Sequence, residues 1–513
     1  MYANGCQYAH KAIRNKNISN SLMATLYSFV LYSSLLISCF LQKSYGFEGG
    51  RKAITEDHFH TIQIKSLLPA SICSPSTIAT KGSSKRQSTL KVLHRHGPCS
   101  QQSQDKPTTT PTLSEVLSHD QSRVEYIQAR LVPNSNANKI KDANSNKNKL
   151  KDKKANIPAQ SGRSLGSGNY IVSVGLGTPT KTLSLIFDTG SDLTWTQCQP
   201  CARSCYKQQD PIFSPSSSTS YSNVSCSSSQ CSQLSSATGN NPSCSIAACV
   251  YGIQYGDQSF SVGFFSKDKL TLTPTDVFPN FLFGCGQNNQ GLFGNTAGLI
   301  GLGRDPLSIV SQTAQKYGKY FSYCLPSTSS STGHLTLGKS GVSTTTKFTP
   351  FDSSQGKSFY FIDIVSISVG GQLLSINQSV FKTSGTIIDS GTVITRLPPT
   401  AYSTMRAVFK QLMQKYPNAP AYSILDTCYD LSNYKNVAIS IPKISFTFSG
   451  NVKVDLDGSG ILVAVSTTQV CLAFAGNGDA SDVAIFGNTQ QKTLEVVYDV
   501  AGGKLGFNPG GCK

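Results

Sequence analysis

Two short stretches of the chain place an aspartate directly after an apolar pair and directly before a hydroxyl residue and a glycine. The first is IFDTGS, which contains Asp188, and the second is IIDSGT, which contains Asp389. One such triplet would indicate only a turn, because roughly 0.2 to 0.3 are expected by chance in a chain of this length. Two copies in the same apolar setting instead indicate a pair of carboxylates with a shared task.

Such a pair can perform acid–base chemistry. At each strand end a glycine, Gly190 or Gly391, lets backbone N–H groups approach the carboxylate, and Ser191 or Thr392 can add a hydroxyl bond. Two carboxyls that share a site do not both ionise, so one pKa falls, the other rises, and the pair holds one proton. The pair could take a proton from water and donate one to a peptide carbonyl, without a metal or another cofactor. The titration belongs to the pair, so the ionised member stays unassigned.

The sequence around the two aspartates repeats further along the chain. AGLIGLG, Ala297 to Gly303, follows Asp188, and AIFGN, Ala484 to Asn488, follows Asp389, so that an apolar pair and a glycine recur 113 and 98 residues downstream. This repetition predicts two copies of one lobe, each supplying one aspartate.

From Gly168 onward the pattern predicts an all-β protein, because short β-branched and aromatic runs such as NYIVSVGLGTP alternate with Gly, Pro, Asn and Asp. Two segments predict helices. Thr112 to Leu131 opens with a capping box and repeats apolar residues at helical spacing, and Leu397 to Tyr416 opens on two prolines before an apolar face. We expect two β lobes with few short helices.

Histidine-dependent catalysis is disfavoured. Six of the seven histidines precede residue 120, and the seventh, His334, lies in the Ser/Thr-rich stretch STSSSTGHL. A serine or cysteine nucleophile needs a nearby base, for which His334 is a poor candidate.

The formal charge of +18 lies mostly in the front of the chain. Residues 1–164 hold 23 Lys+Arg against 9 Asp+Glu (+14), and residues 165–513 hold 22 against 18 (+4). Asn134 to Ser164 has too little apolar surface to fold and is interpreted as an exposed linker. Its basic segment, Lys139 to Lys154, could instead contact nucleic-acid phosphates, but it lacks aromatic stacking residues, which favours the linker interpretation.

Met23 to Leu41 is an apolar, uncharged run with the layout of a signal peptide, which leaves translation from Met1 or from Met23 open. A signal anchor is the rival interpretation. If the segment is cleaved, we expect no stable membrane span.

The cysteines also favour the secretory pathway. Twelve of the 16 lie between Cys198 and Cys512, and sequons at Asn223 and Asn377 could carry glycans. Zinc bound by Cys198, Cys201 and Cys205 is a weaker interpretation, because no histidine lies nearby to complete a quartet.

With these motifs the chain resembles the pepsin-like aspartic proteases, and within them the plant group similar to nepenthesins and to apoplastic and chloroplast-nucleoid aspartyl proteases. The resemblance covers roughly Gly168 to Lys513, and LKVLHRHGPCS, Leu90 to Ser100, is similar to the prosegment of that group. It implies that Asp188 and Asp389 are the catalytic pair. The residues that would support this dyad are Thr189, Gly190, Ser191, Ser390, Gly391 and Thr392.

The same resemblance implies a β-hairpin flap in IQYGDQSFSVGFF, whose Tyr255 closes over the substrate, and a supporting role for Trp195, the one tryptophan of the chain. Sequence alone does not fix the disulfide connectivity. The family pattern implies the pairs Cys198–Cys201, Cys205–Cys285, Cys226–Cys249, Cys231–Cys244, Cys324–Cys512 and Cys428–Cys471.

We therefore expect an aspartic endopeptidase with a bilobal pepsin-like fold, made as a zymogen, monomeric, acting on polypeptides and preferring acidic pH. The expected division is 1–45 for the extension and signal peptide, 46–164 for the prosegment and basic linker, 165–345 for the N-terminal lobe with a Cys-rich insertion, and 346–513 for the C-terminal lobe. Secretion or the vacuole is the expected destination, with the plastid as the alternative. The rival functions are an inactive inhibitor or binding protein on this fold, and a protease with an added DNA-binding segment.

Overall fold

The computed structural model describes residues 58–68, 72–75, 88–95, 97–100, 112–131 and 170–512, apart from 256–257, 292, 329, 340–342 and 355–357. The predicted signal segment, Met23 to Leu41, and the predicted linker, Asn134 to Ser164, lie outside these residues. Within the described ranges, no helix is long and apolar enough to cross a membrane.

The described residues are mostly β-structure. In the first half of the chain the strands are β1 (Phe59–Ile62), β2 (Ser88–His94), β3 (Tyr170–Leu176), β4 (Lys181–Asp188), β5 (Trp195–Gln197), β6 (Ser222–Asn223), β7 (Ser243–Ser245), β8 (Ala248–Gln254), β9 (Phe260–Thr273), β10 (Asp276–Gln290), β11 (Gly298–Gly301), β12 (Tyr320–Cys324), β13 (Thr332–Leu337) and β14 (Lys347–Pro350). They continue with β15 (Phe361–Ile362), β16 (Ile364–Val369), β17 (Gln372–Leu373), β18 (Thr386–Ile388), β19 (Thr395–Leu397), β20 (Asn418–Ala419), β21 (Cys428–Asp430), β22 (Ile439–Pro442), β23 (Ile444–Phe448), β24 (Val452–Asp455), β25 (Leu462–Ala464), β26 (Gln469–Leu472), β27 (Phe474–Gly476), β28 (Ala484–Phe486), β29 (Leu494–Asp499) and β30 (Lys504–Pro509).

The helices are short, with two exceptions. They are α1 (Leu113–Leu131), α2 (Ser229–Ser232), α3 (Leu234–Thr238), α4 (Ile309–Gln312), α5 (Ala314–Tyr317), α6 (Ser379–Lys382), α7 (Pro399–Leu412) and α8 (Asn488–Gln491). Single 3₁₀ turns occur at Ile64–Ser66, Pro215–Ser217, Ser432–Tyr434 and Gly458–Gly460. The long helices, α1 and α7, are the two that the sequence pattern predicts.

The largest sheet joins the two halves of the catalytic region. Its strand order is β14-β30-β29-β12-β13-β2-β3-β4-β11-β5-β10-β9-β8-β7, with β6 beside β9. Strand β2, from the front third of the chain, lies in the middle of this order, paired along its length with β13 and at its end with β3. Leu90 and Val92 of β2 are buried in the core. The front of the chain is therefore part of the folded sheet.

The sequence repeat corresponds to a repeated strand arrangement. Strand β4 ends in Asp188 and pairs in parallel with β11, with Gly301 opposite Asp188. Strand β18 precedes Asp389 and pairs in parallel with β28, with Phe486 opposite Ile388. Each aspartate thus lies at the end of a buried strand whose parallel neighbour comes from the downstream repeat. Parallel pairing between buried strands accounts for the continuous apolar runs in the sequence.

The C-terminal half adds three smaller sheets, ordered β15-β18-β28-β19-β27, β17-β16-β23-β24 and β20-β21-β26-β25, while β1 pairs with β22. Helix α7 buries Met405 and Phe409 in this half. Its apolar face continues past the helix end to Met413 and Tyr416, which are also buried. This is the packing that the predicted helical face requires.

Helix α1 begins as its capping box predicts. Glu115 N–H donates to the Thr112 hydroxyl oxygen, and Thr112 N–H donates to the Glu115 carboxylate at 2.9 Å. The helix buries Leu117, Val124 and Ile127, which share one face.

Four of the expected disulfide pairs, all in the first lobe, are wrong. Cys198 bonds to Cys285 and Cys201 to Cys205, instead of Cys198–Cys201 and Cys205–Cys285. The reason is strand pairing: β10 runs in parallel with β5, Cys198 N–H donates to the Gly286 carbonyl, and the Cα atoms of Cys198 and Cys285 are 5.3 Å apart. That distance suits a disulfide.

The two disulfides predicted within the Cys-rich insertion are also wrong. Cys226 bonds to Cys244 and Cys231 to Cys249, instead of Cys226–Cys249 and Cys231–Cys244. Cys231 and Cys249 are both buried in one apolar cluster, whereas Cys226 is half-buried and Cys244 is exposed, so the two buried sulfur atoms bond to each other and the two outer ones form the second bond. The remaining bonds are Cys324–Cys512, Cys428–Cys471 and a bond not expected from the sequence, Cys73–Cys99.

Candidate active site

The two aspartates of the sequence motif are brought together and buried. Asp188 is 1% exposed and Asp389 is fully buried. One nitrogen of a third residue, Arg123 Nη2, lies 2.7 Å from Asp188 Oδ1 and 3.0 Å from Asp389 Oδ1. The carboxylates from the two halves of the chain therefore share one site.

The hydroxyl residues that follow the aspartates link the two halves. Thr189 N–H donates to Ser390 Oγ at 3.1 Å, and Ser390 N–H donates to Thr189 Oγ1 at 2.9 Å. The reciprocal pair is buried and holds the two motif loops in register. The substitution of Ser390 for threonine in the second motif preserves this contact, because only the hydroxyl is used.

The third and fourth positions of each motif act on the carboxylates. Gly190 N–H donates to Asp188 Oδ1 at 3.0 Å, and Gly391 N–H donates to Asp389 Oδ1 at 2.9 Å. Thr392 Oγ1 donates to Asp389 Oδ2 at 2.6 Å. Ser191 is buried beside Asp188, but its hydroxyl makes no hydrogen bond of normal geometry within the described structure. The expected hydroxyl bond is therefore formed in the second motif only.

Both glycines are required by close approach across the site. A Cβ atom on Gly190 would lie 2.7 Å from Asp389 Oδ1, and one on Gly391 would lie 2.4 Å from Asp188 Oδ1. Each glycine thus makes room for the carboxylate of the opposite motif.

The two residues predicted to form and support the flap, Tyr255 and Trp195, lie next to each other. Tyr255 follows β8 at the turn that leads to β9, and Trp195 Nε1 donates to the Tyr255 hydroxyl at 2.9 Å. Phe293 packs edge-on against both rings, at 4.7 Å from Trp195 and 5.6 Å from Tyr255. Burial raises the pKa of Tyr255 well above its usual value, so its hydroxyl remains a neutral donor. Residues 256 and 257, which follow Tyr255, are outside the described residues.

Arg123 of helix α1 occupies the dyad. Its Nε donates to Asp389 Oδ2 at 3.0 Å, while Nη2 reaches both carboxylates. A planar guanidinium suits this bridging geometry. The side chain of Arg123 is 12% exposed, so the ion pairs are screened little by solvent.

Further contacts of α1 fix the helix on the C-terminal half. The Asp120 carboxylate accepts from the N–H groups of Val393 and Ile394, immediately after the second motif. The Gln128 amide exchanges two hydrogen bonds with the backbone of Val483, at 2.7 and 2.8 Å.

Apolar contacts add to this docking. Val124 and Ile127 pack in one cluster with five residues of the C-terminal half, Phe359, Phe361, Ile387, Val483 and Ile485. The helix therefore covers the dyad through polar and apolar contacts together.

The environment separates the two carboxyl pKa values. Burial raises the pKa of Asp188, but the Arg123 charge, the nearby Ser191 hydroxyl and the bond from Gly190 N–H outweigh this and hold it below its usual value. Burial also raises the pKa of Asp389; the Arg123 charge opposes this shift and the Asp188 charge adds to it, and the pKa stays above its usual value. The two pKa values therefore lie on opposite sides of the usual aspartate value, and between them one member of the pair is ionised and the other is protonated.

Sequence reasoning missed Asp120, Arg123, Gln128 and Arg396. A signal was present, because Asp120 and Arg123 fall one helical turn from the apolar positions 117, 124 and 127 and so interrupt the apolar face. Charged residues on such a face indicate a specific buried partner.

The other predicted sites lie elsewhere. His334 is on β13, with its Nε2 at 3.9 Å from Glu495 Oε1, and takes no part in the dyad contacts. Asn223 on β6 and Asn377 before α6 are both exposed, and their glycosylation stays a prediction.

Comparison with known proteins identifies the family. Models described as the xylanase inhibitor N-terminal and C-terminal domains match residues 170–339 and 359–509. An aspartyl protease family protein of Arabidopsis thaliana is 57% identical over 458 residues, covering 89% of this chain and 94% of the relative. Aspartyl protease AED1 of the same plant is 51% identical, covering 88% and 92%. Aspartic proteinase nepenthesin-1 of Nepenthes gracilis is 39% identical, covering 68% and 79%.

Solved structures share the fold at lower identity. The crystal structure of edgp superposes with a TM-score of 0.55 at 21% identity, covering 66% of this chain and 91% of that one. Conglutin gamma from lupine seeds gives 0.54 at 20% identity, covering 67% and 93%. The chain belongs to the plant pepsin-like aspartyl protease family, and the predicted family, fold class and aspartic endopeptidase function are confirmed.

Proposed function

We propose that this chain is the zymogen of an aspartic endopeptidase in which Asp188 and Asp389 are the catalytic pair and helix α1 keeps them inactive. The observation that supports the proposal most directly is the bridging of both carboxylates by the single guanidinium of Arg123. A cation in that position blocks the dyad, since the carboxylates can neither hold water nor receive a peptide carbonyl while they bind it.

Once α1 has left, the dyad has the properties needed for peptide hydrolysis. The ionised carboxylate takes a proton from water, the oxygen of which attacks the peptide carbonyl carbon, and the protonated carboxyl donates to the carbonyl oxygen. The C–N bond then breaks as the amine receives a proton and the dyad returns to its starting state. The Gly190 and Gly391 amides stabilise the charged forms, and the Thr189–Ser390 pair keeps the carboxyls aligned.

The pKa shifts predict how acid releases α1. The pKa of Asp188 is lowered in the precursor, despite burial, chiefly by Arg123. Docking through this ion pair is therefore complete above the usual aspartate pKa of about 3.9 and is lost as the pH falls through the lower value. The raised pKa of Asp389 acts in the opposite direction, because Asp389 keeps its proton in the docked state at pH values where an ordinary aspartate is ionised. Release should accordingly need a pH below about 4.

The test is acid activation of the full chain. Samples held at pH 7, 5 and 3 are assayed for hydrolysis of a mixture of unstructured peptides, with the products identified by mass spectrometry and chain length followed on gels. We expect hydrolysis after exposure to pH 3 and none in the sample kept at pH 7 and assayed there. Equal hydrolysis by all samples before any chain shortening would contradict the role of α1.

An inactive inhibitor or binding protein on this fold is the second candidate, favoured by the description of the matching family models. The complete dyad, its glycines and the Tyr255–Trp195 contact argue for activity instead. A binding protein would not need two carboxylates whose pKa values differ.

The remaining expectations are part of the proposal. We propose polypeptide substrates, a monomer, and secretion or delivery to the vacuole, with the plastid as the alternative. Contact of Lys139 to Lys154 with nucleic acid is the less favoured addition, and this segment lies outside the described residues. A shift assay at 50 and 200 mM salt with the purified chain would test it, because phosphate contacts weaken steeply with salt.

A further inference from the structure

Arg396 is a buried cation seven residues after Asp389 along the chain. It lies on β19 and is 1% exposed. Its Nη1 donates to the Ile394 carbonyl at 2.7 Å, and its Nη2 lies 3.1 Å from Asp120 Oδ2 and donates to Gln121 Oε1 at 3.3 Å. Two of its three partners, Asp120 and Gln121, belong to helix α1.

Among the described residues of the C-terminal half, no carboxylate lies within ion-pair distance of Arg396. Asp120 is the one acid in ion-pair distance of Arg396 within the described residues. Arg396 Nε is also buried, and it has no hydrogen-bond partner among the described residues. When α1 leaves the dyad, Arg396 loses its counter-ion, and a buried guanidinium without a partner is unfavourable.

The surroundings of Asp120 form a site built for a carboxylate. Three donors converge on it: Val393 N–H at 2.5 Å, Ile394 N–H at 3.1 Å and the Arg396 guanidinium. Two backbone amides and a guanidinium are the strong, charge-assisted partners that carboxylates select. All three belong to the segment that directly follows the second catalytic motif, and they remain when α1 departs.

The site is adjacent to the dyad. Asp120 and Arg123 are three residues apart on one helix, which corresponds to a rise of about 4.5 Å. While Arg123 binds the dyad, Asp120 therefore lies about one helical turn from Arg123. A substrate side chain next to the peptide bond bound at the dyad could reach the same position.

We propose that Arg396, with the Val393 and Ile394 amides, forms a substrate subsite that selects an acidic side chain close to the scissile bond, and that Asp120 occupies this subsite in the precursor. The inference rests on the proposed peptidase function. It defines the substrate class as peptides with Asp or Glu at one position beside the cleaved bond.

The competing explanation is that Arg396 only supports the structure, by binding the Ile394 carbonyl. A structural role predicts that substitution changes stability and affects all substrates alike. A subsite role predicts a change in the preference between acidic and neutral side chains, which a structural role would not move.

The experiment uses acid-activated enzyme and a neutral reference peptide whose cleavage site has been identified by mass spectrometry. Asp and, separately, Asn are placed at each of three positions on either side of the cleaved bond, and kcat/KM is measured at pH 5, where a free aspartate side chain is ionised. At one position we expect Asp to be preferred over Asn by roughly tenfold to a hundredfold, the range for a hydrogen bond to a charged partner. The preference should shrink towards pH 3 as the substrate carboxyl is protonated.

In Arg396→Gln the preference at that position should fall to about one, with the neutral peptide still cleaved, and Arg396→Lys should restore part of it. Lys453→Gln, which removes an exposed cation on β24, is the matched control and should keep the full preference.

The wild-type scan alone overturns the inference if no position prefers Asp, so the result does not depend on the folding of a variant. A preference retained in Arg396→Gln also overturns it. Failure of the activated wild type to cleave any peptide would overturn the proposed function and this inference with it.

Discussion

At the scale of single residues, Arg123 determines whether the dyad is available. It is the one cation in ion-pair contact with Asp188 and Asp389 among the described residues. Removing one partner of a buried ion pair costs about 3–5 kcal/mol, because the other charge stays buried without compensation. Removal of the Arg123 guanidinium would leave two buried carboxylates, Asp188 and Asp389, without their counter-charge.

Substitution of Arg123 should weaken the inhibition. We expect Arg123→Gln to hydrolyse peptides at pH 5 without prior exposure to pH 3, at least tenfold faster than the wild-type precursor. Arg123→Lys should be intermediate, since an ammonium keeps the charge but not the bridging geometry. Initial rates measured before any chain shortening test this. If the Arg123→Gln precursor is as inactive as the wild type at pH 5, the guanidinium is not the inhibitory group.

Residue chemistry is only partly visible in the sequence. The triplets at Asp188 and Asp389 could be found because each motif is local and occurs twice. The Arg123 contact could not, because it joins residues 266 positions apart and depends on where the helix docks. The cysteine pairs of the insertion were wrong for the same reason, since the folded structure decides which cysteines are buried together.

At the scale of elements, α1 is an amphipathic helix whose apolar face docks beside the dyad. Leu117 packs with Val393 and Ile394, and Ile127 packs with Phe359. The capping box and the apolar spacing made the helix predictable from Thr112 to Leu131. The surface on which it docks was not predictable, because that surface combines strands from several parts of the C-terminal half.

Truncation of the apolar face should release α1 more easily. Ile127→Ala removes a buried side chain, which typically costs about 2–5 kcal/mol. We therefore expect the Ile127→Ala precursor to activate at a higher pH than the wild type. Ser118→Ala, at an exposed position of the same helix, is the control and should activate like the wild type. The pH of half-maximal activation is the measurement, and equal values for the two variants would contradict the docked position of α1.

At the scale of the whole molecule, the front of the chain is built into the largest sheet through β2, between two strands of the first lobe, whereas the two halves meet where β12 pairs with β29. The strand lies between β13 and β3 in the largest sheet. The β pattern from Gly168 onward predicted two β lobes, but the insertion of β2 was not predictable, since the sequence order of strands does not give their order in a sheet. The sequence assigned residues 46–164 to a prosegment and basic linker and did not indicate that one strand of this region belongs to the main sheet.

This arrangement predicts an acid-sensitive sheet. Burial, together with the charges of Lys492 and Arg95, lowers the pKa of His94 at the end of β2 from 6.5 to about 3. His94 is therefore neutral in the folded protein and takes up a proton on unfolding, so stability falls as the pH drops from about 6.5 towards 3. His94→Gln should lose less thermal stability between pH 7 and pH 4 than the wild type. Equal losses in the two proteins would contradict the assigned role of His94.

The most direct test of the central claim compares peptide hydrolysis by the acid-treated wild type, Asp188→Asn and Asp389→Asn at pH 3 to 7. Asp479→Asn, in an exposed turn, serves as the control for the loss of a carboxylate. We predict hydrolysis by the wild type and the control, with maximal rates at acidic pH, and a loss of at least a thousandfold in kcat for either dyad variant with the fold retained. Hydrolysis at the wild-type rate by a folded Asp188→Asn or Asp389→Asn protein would contradict the assignment of these two carboxylates as the catalytic pair.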